Sequence, residues 1–186
     1  MQASNAYPAN HAELFPWVLF VMNLIAFQCF MIPFLYTVRV RARVFNKEFM
    51  EQFRTEHTQA FPEDDGVLPP IGFPDTGNGW FAKKLSYKDW FEFNNAQRVH
   101  YNFLESLPLI LVLLFITALK QPLAALIIGC IYFVSRLIYT LGYVIGGPNM
   151  RAFGGLPMGF SMLTLFGISL YSAAEYMKQY NVTTEL

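Results

Sequence analysis

Charged side chains are scarce in this sequence. Asp, Glu, Lys and Arg make up 14% of its 186 residues, where a soluble domain carries about a quarter. They are also unevenly placed: Leu14–Val38 holds 25 residues without one, and Ala152–Ala174 holds 23. A hydrocarbon layer about 30 Å thick takes about 20 helical residues to cross, so either run can span it, and a water-soluble fold is excluded. Net charge is missing too, with 13 basic against 13 acidic residues, which removes the electrostatic footprint of a nucleic-acid binder. Cysteine is limited to Cys29 and Cys130, both inside apolar runs. Their spacing suggests no disulfide framework and no zinc or other metal site, and both are expected to be small buried hydrophobes. No Lys or Arg precedes Leu14, and the apolar run is longer than a signal-peptide core, so the first helix is expected to stay.

What is present is an all-α membrane pattern: one domain over 14–186 after a polar lead-in over 1–13, with four helices at about 14–40, 92–119, 122–145 and 153–176. Pro33 predicts a kink in the first helix. That helix leaves the membrane through Arg39, Arg41, Arg43 and Lys47, the densest basic cluster in the chain, which puts this end on the cytosolic side or its equivalent. A long connection over 44–91 follows, with acidic Glu63-Asp64-Asp65 and a Pro- and Gly-rich stretch from Pro69 to Gly79. Connections of this length are functional or disordered. Its end mixes Trp80, Phe81, Tyr87 and Trp90 with Lys83, Lys84 and Lys88, which suits either a lipid headgroup layer or a loop packed on its own aromatics. The short Lys120-Gln121-Pro122 turn predicts that the second and third helices form an antiparallel hairpin, and Gly146-Gly147-Pro148 predicts where the third helix stops. Four spans place both termini on one face. A sequon at Asn181 lies close behind the last helix.

Two polar groups sit where a membrane span should avoid them. Arg98, Asn102 and Glu105 are spaced i, i+4, i+7, and Arg136, Tyr139 and Tyr143 are spaced i, i+3, i+7, so each set forms one stripe of its helix. An ionisable group within a span costs about 2.5–3.5 kcal/mol on insertion scales and persists by facing another such group, a cavity or a ligand. A guanidinium forks onto a carboxylate, a glutamate holds an ammonium group, and an asparagine pairs with an amide. A small zwitterionic peptide fits that set. An ion-pair network among helices, with Arg98 or Arg136 against Glu105, fits the spacing equally.

The segments carrying these stripes read FNNAQRVHYNFLESLPLILVLLF from Phe93 and SRLIYTLGYVIGGPNMRAF from Ser135. They resemble the superfamily of membrane-associated proteins in eicosanoid and glutathione metabolism, and within it the microsomal glutathione transferases of the third type. The match runs through Phe93, Asn94, Gln97, Arg98, His100, Asn102 and Glu105, then Arg136, Tyr139, Gly142, Tyr143, Gly146 and Pro148. It implies a homotrimer of four-helix subunits in an endoplasmic reticulum or mitochondrial membrane, with glutathione as co-substrate between neighbours and lipids as surroundings. Arg98, His100, Asn102, Glu105, Arg136, Tyr139 and Tyr143 would then line the glutathione site. A first-helix arginine would join from a neighbour, Arg43 in the first place and Arg41 in the second. Arg151 would stabilise the glutathione thiolate in a transferase or peroxidase acting on lipophilic electrophiles or lipid hydroperoxides. The alternative role for Arg151 is a positive-inside anchor, and for His100 a packing residue.

The chain departs from its relatives at Asn149-Met150-Arg151, where they cluster basic residues, at Ser106, where some carry tyrosine, and in the 48 residues of Val44–Phe91. That connection could cap the site or dock a partner protein. A structural accessory subunit of a larger membrane complex, or a non-catalytic lipid-binding member, are the competing roles.

Overall fold

A computed structural model describes residues 11–179; the lead-in over 1–10 and the sequon at Asn181 lie outside the described residues. Every regular element among the described residues is helical. Helix α1 is His11–Ile32, followed by a π-helical turn over Pro33–Thr37 and by α2, Val38–Val44. Two short helices follow, α3 (Lys47–Glu51) and α4 (Arg54–Ala60), and then three long ones: α5 (Tyr87–Ala118), α6 (Pro122–Gly146) and α7 (Ala152–Gln179). Four stretches are long and apolar enough to cross a membrane: Glu13–Val44, Tyr87–Ala118, Pro122–Asn149 and Ala152–Lys178. The described chain falls into two compact units, one of 11–29 with 103–179 and one of 30–102.

In the first unit, Pro122, Ala125, Gly129, Tyr132, Arg136, Tyr139 and Tyr143 of α6 are buried at alternating steps of three and four residues and make one inward stripe, with buried Ser135 beside it. The outward positions Leu123, Ile127, Ile131, Val134, Leu141 and Val144 are exposed and fully apolar. In water such a surface would be a large aggregation-prone patch; in lipid it is the expected coat. Cys130 lies on this outward face, exposed, whereas Cys29 is buried; burial was expected of both, but a thiol facing acyl chains is equally free of water. Helix α7 carries the pattern further, with small Gly154, Ser161, Ser169 and Ser172 turned inward and Phe160, Leu163, Phe166 and Leu170 outward. Small inward residues let membrane helices approach closely. Ser161 donates to the Pro157 carbonyl at 2.8 Å and Ser169 to that of Phe166 at 2.9 Å, so these hydroxyls are satisfied within their own helix. The α5–α6 hairpin forms as predicted: Gln121 N–H caps back to the Thr117 carbonyl, and the Ser106 and Tyr132 hydroxyls meet across it at 3.1 Å.

The second unit contains the connection over 44–91, which is folded. Phe45, Met50, Phe53, Ala82 and Phe93 form a small core with Val44, and Phe49, Leu68, Phe81 and Leu85 pack around it. Asn46 caps α3 by accepting from Phe49 N–H at 2.9 Å. The Gly-rich stretch wraps the buried Asp75 carboxylate, which accepts from the backbone N–H groups of Gly77 (2.8 Å), Gly79 (2.9 Å) and Ala82 (2.7 Å). Gly77 takes φ +107°, a conformation that a side chain would strain. Helix α5 begins at Tyr87, five residues before the expected 92, because Ser86 caps it: its hydroxyl accepts from Asp89 N–H at 3.1 Å and donates to the Asp89 carboxylate at 2.7 Å.

At Pro33, where a kink was predicted, the first helix takes a π-turn. Pro33 has no N–H to give, and Val38 N–H reaches back five residues to the Pro33 carbonyl, widening the helix by one residue. The buried series records the change. Val18, Val21, Ile25, Cys29 and Ile32 step by three or four, and after the turn the series resumes at Thr37, Arg41 and Val44.

Candidate functional site

Three glycines build the end of α6. Gly147, at φ +68°, turns the chain out of the helix, and the Gly147–Asn149 turn folds Met150 back onto α6. A Cβ on Gly142 would lie 2.6 Å from the Met150 carbonyl oxygen, and one on Gly146 would lie 2.1 Å from Met150 Cγ. On α7, a Cβ on Gly154 would meet the Tyr139 nitrogen at 2.2 Å and the Ser135 carbonyl oxygen at 2.4 Å. The Gly142 and Gly154 contacts are with backbone atoms well inside van der Waals distance, so only glycine at those two positions allows this closure. The closure delivers Arg151, which Gly155 N–H ties to the start of α7. Its Nη1 donates to the Tyr143 hydroxyl at 3.3 Å, and that bond, together with the neighbouring Tyr139 phenol, pushes the already high Arg151 pKa up further. The guanidinium is exposed, so it is a permanent cation at the edge of a span with room for an anion beside it.

Beneath it the stripe continues inward. The Tyr139 and Tyr143 rings are 5.4 Å apart and both side chains are buried. Arg136 is 0% exposed; its guanidinium lies 4.2 Å from the Phe103 ring centre and 4.6 Å from that of Tyr139, with Nη1 3.7 Å from Met158 Sδ. Two aromatic faces and a thioether thus surround a cation deep in the bundle. The structure therefore gathers four of the predicted residues, Arg136, Tyr139, Tyr143 and Arg151, along one line at the end of α6.

The remaining predicted residues sit on α5 and α2. Arg98 and Glu105 are exposed, and His100 and Asn102 are half-buried. Arg43, also exposed, pairs with Glu92. Arg41, the second choice, is held by the connection. It is buried, donates Nη2 to the Asp75 carbonyl at 2.5 Å and Nη1 to the Ile71 carbonyl at 3.4 Å, and lies over the rings of Phe73 at 4.2 Å and Phe93 at 4.9 Å. It clasps the folded connection.

Sequence reasoning missed Met150 and Asp75. Met150 follows a glycine spacing, Gly142 and Gly146, that could have signalled a close approach; Asp75 precedes Gly77 and Gly79, a run compatible with an Asx-type turn. Among the described residues, no three His, Cys, Asp or Glu side chains group as a metal site would need.

A family model described as MAPEG matches residues 18–174, a stretch that takes in all of α5 and α6 and most of the first and last spans. The match covers the glycine-closed Arg151 corner and the α5 stripe alike, and the glutathione-related and lipid-metabolic chemistry of that group is the general setting for this multi-pass membrane protein. The chain belongs to the MAPEG family.

Proposed function

We propose that this protein is a glutathione-dependent transferase or peroxidase for lipophilic electrophiles and lipid hydroperoxides, of the third microsomal type. The observation that carries the proposal is the presentation of Arg151 by the Gly142–Gly146–Gly154 closure, with its guanidinium on Tyr143. A free thiol has a pKa of about 8.5, so only a few per cent is thiolate at neutral pH. A guanidinium beside it favours the charged form. On α5, Arg98 and Glu105 are seven residues apart, about 10 Å along the axis, close to the length of an extended tripeptide at about 3.3–3.6 Å per residue. Arg98 would take a carboxylate, Glu105 the ammonium group and Asn102 a peptide amide, with His100, Arg136, Tyr139 and Tyr143 completing the site. In a homotrimer within an endoplasmic reticulum or mitochondrial membrane, Arg43 of a neighbour would exchange Glu92 for a second glutathione carboxylate.

The thiol proton leaves to solvent. The thiolate sulfur then attacks an electrophilic carbon, forming a C–S bond and expelling the leaving group. With a hydroperoxide it attacks the distal oxygen, breaking the O–O bond to release an alcohol; a second glutathione thiol reduces the resulting sulfenic acid to a disulfide and water.

Calorimetry with millimolar glutathione tests binding, and its absence would remove this reading. Arg151→Ala is expected to leave binding within a few-fold of the parent while thiolate absorbance at neutral pH is lost; unchanged absorbance would dismiss Arg151 as the activating group. The folded connection over 44–91 favours one competing role, an accessory subunit docked through that unit, and purification as part of a stable large complex would support it.

A further inference from the structure

The folded connection carries a cleft of about 370 Å³ lined by Phe53, Glu56, His57, Ala60, Phe61, Trp80 and Phe81, within the range of roughly 300–1,000 Å³ that holds small ligands. Four of the seven lining residues are phenylalanine or tryptophan, and one is a carboxylate. Phe53 and Phe81 meet edge to face at 4.8 Å, and His57 lies 5.1 Å from Phe61. Trp80, 64% exposed, donates its indole N–H to Glu56 at 2.9 Å. Lys84 donates to the other Glu56 oxygen at 3.2 Å, with its ammonium 4.6 Å from the Phe53 ring centre.

These groups complement a zwitterion. Aromatic faces beside a carboxylate attract a bulky, weakly hydrated cation, and quaternary ammonium groups are the ligands that aromatic cages hold best. Lys84, a compact cation on a flexible stem, supplies the partner for an anion one short linker away. We infer that the cleft binds a phosphocholine group: trimethylammonium among Phe61, Trp80 and Phe81 against Glu56, phosphate on Lys84. Binding exchanges the Lys84–Glu56 ion pair for two new pairs with the ligand. Lys84 stands three residues before Tyr87, where a membrane-spanning stretch begins, so a choline lipid of the adjoining leaflet and soluble phosphocholine are both potential sources of the headgroup. Unlike the glutathione chemistry, the cleft uses no residue of the Arg151 corner or the α5 stripe.

The test is calorimetry on the full-length protein in a choline-free maltoside detergent, titrated with phosphocholine and with dihexanoylphosphatidylcholine below its micelle concentration. Saturable binding is expected, weakened about tenfold in both Glu56→Gln and Phe61→Ala, since each removes a contact of cation–π or ion-pair size. Glu56→Gln keeps an oxygen to accept the Trp80 N–H, and Phe61 is half-exposed at the end of α4, so both variants should melt like the parent. Phosphoethanolamine, whose primary ammonium is strongly hydrated, should bind more weakly. Equal affinity for the two choline ligands assigns the free headgroup, and tighter lipid binding assigns the membrane source. No saturable heat with either ligand, or unchanged affinity in both variants, overturns the inference, and glutathione titrated into the same samples reports separately on the other site.

Discussion

Gly154→Ala is the sharpest available perturbation of the Arg151 corner. The added methyl would sit 2.2 Å from the Tyr139 nitrogen, 2.4 Å from the Ser135 carbonyl oxygen and 2.6 Å from Tyr139 Cα. All three are backbone atoms of α6, so no rotamer change can make room. Restoring ordinary contact requires the start of α7 to move off α6 by about 1 Å, and overpacking of this kind costs about 1–3 kcal/mol. Arg151, three residues upstream, moves with it, and a 1 Å misplacement of a reacting or stabilising group can lower a rate about a hundredfold. Gly159→Ala supplies the control, because a Cβ there meets nothing within 4 Å. Thermal unfolding in nanodiscs should show Gly154→Ala melting below the parent and Gly159→Ala matching it. Thiolate absorbance with bound glutathione should fall in the first variant alone. A Gly154→Ala protein with parental melting and parental absorbance would refute the claim that this contact positions Arg151.

Asp75→Ala leaves three buried or half-buried N–H groups, those of Gly77, Gly79 and Ala82, without their acceptor; at about 1–3 kcal/mol for an unsatisfied buried group, the folded connection should open to protease between Phe61 and Trp80 while the spans stay protected. Resistance equal to the parent would show that the carboxylate does not hold the fold. Glu56 has its pKa lowered, first by the Trp80 hydrogen bond and then by Lys84. A carboxyl depressed in the folded state contributes above its unfolded pKa and loses that contribution as pH falls through the folded one. Trp80 emission, isolated by difference from a Trp80→Phe variant, should therefore hold steady from neutral pH to the usual carboxylate range and change only below it; a transition near neutrality would contradict the assignment.

The spans were legible because two charge-free runs and a Lys-Gln-Pro turn state their lengths outright, and the i, i+3, i+7 spacing of Arg136, Tyr139 and Tyr143 already named one face. The folded connection was not legible. Its core joins Phe45 and Phe53 to Phe93 across some forty residues, a distance over which periodicity carries no signal, and its Pro and Gly content imitates a loop. The early start of α5 was hidden for a different reason: Ser86 and Asp89 form a polar cap, invisible to a search for apolar runs. Placing Arg151 needed the glycine contacts, which exist only once α6 and α7 are packed.

The π-turn at Pro33–Thr37 works like one tooth added to a gear. An extra residue advances everything after it by about 100° around the axis, one residue's share of a 3.6-residue turn. Had ordinary winding continued from Ile32, positions 36, 40 and 43 would have rotated inward, and Arg43 would be the enclosed guanidinium. With the advance, Arg41 turns in to fasten the folded connection and Arg43 swings out to Glu92. Removing a single residue from 33–37 would take that tooth out again and return the segment to ordinary winding, with Arg41 still turned in and Arg43 still turned out.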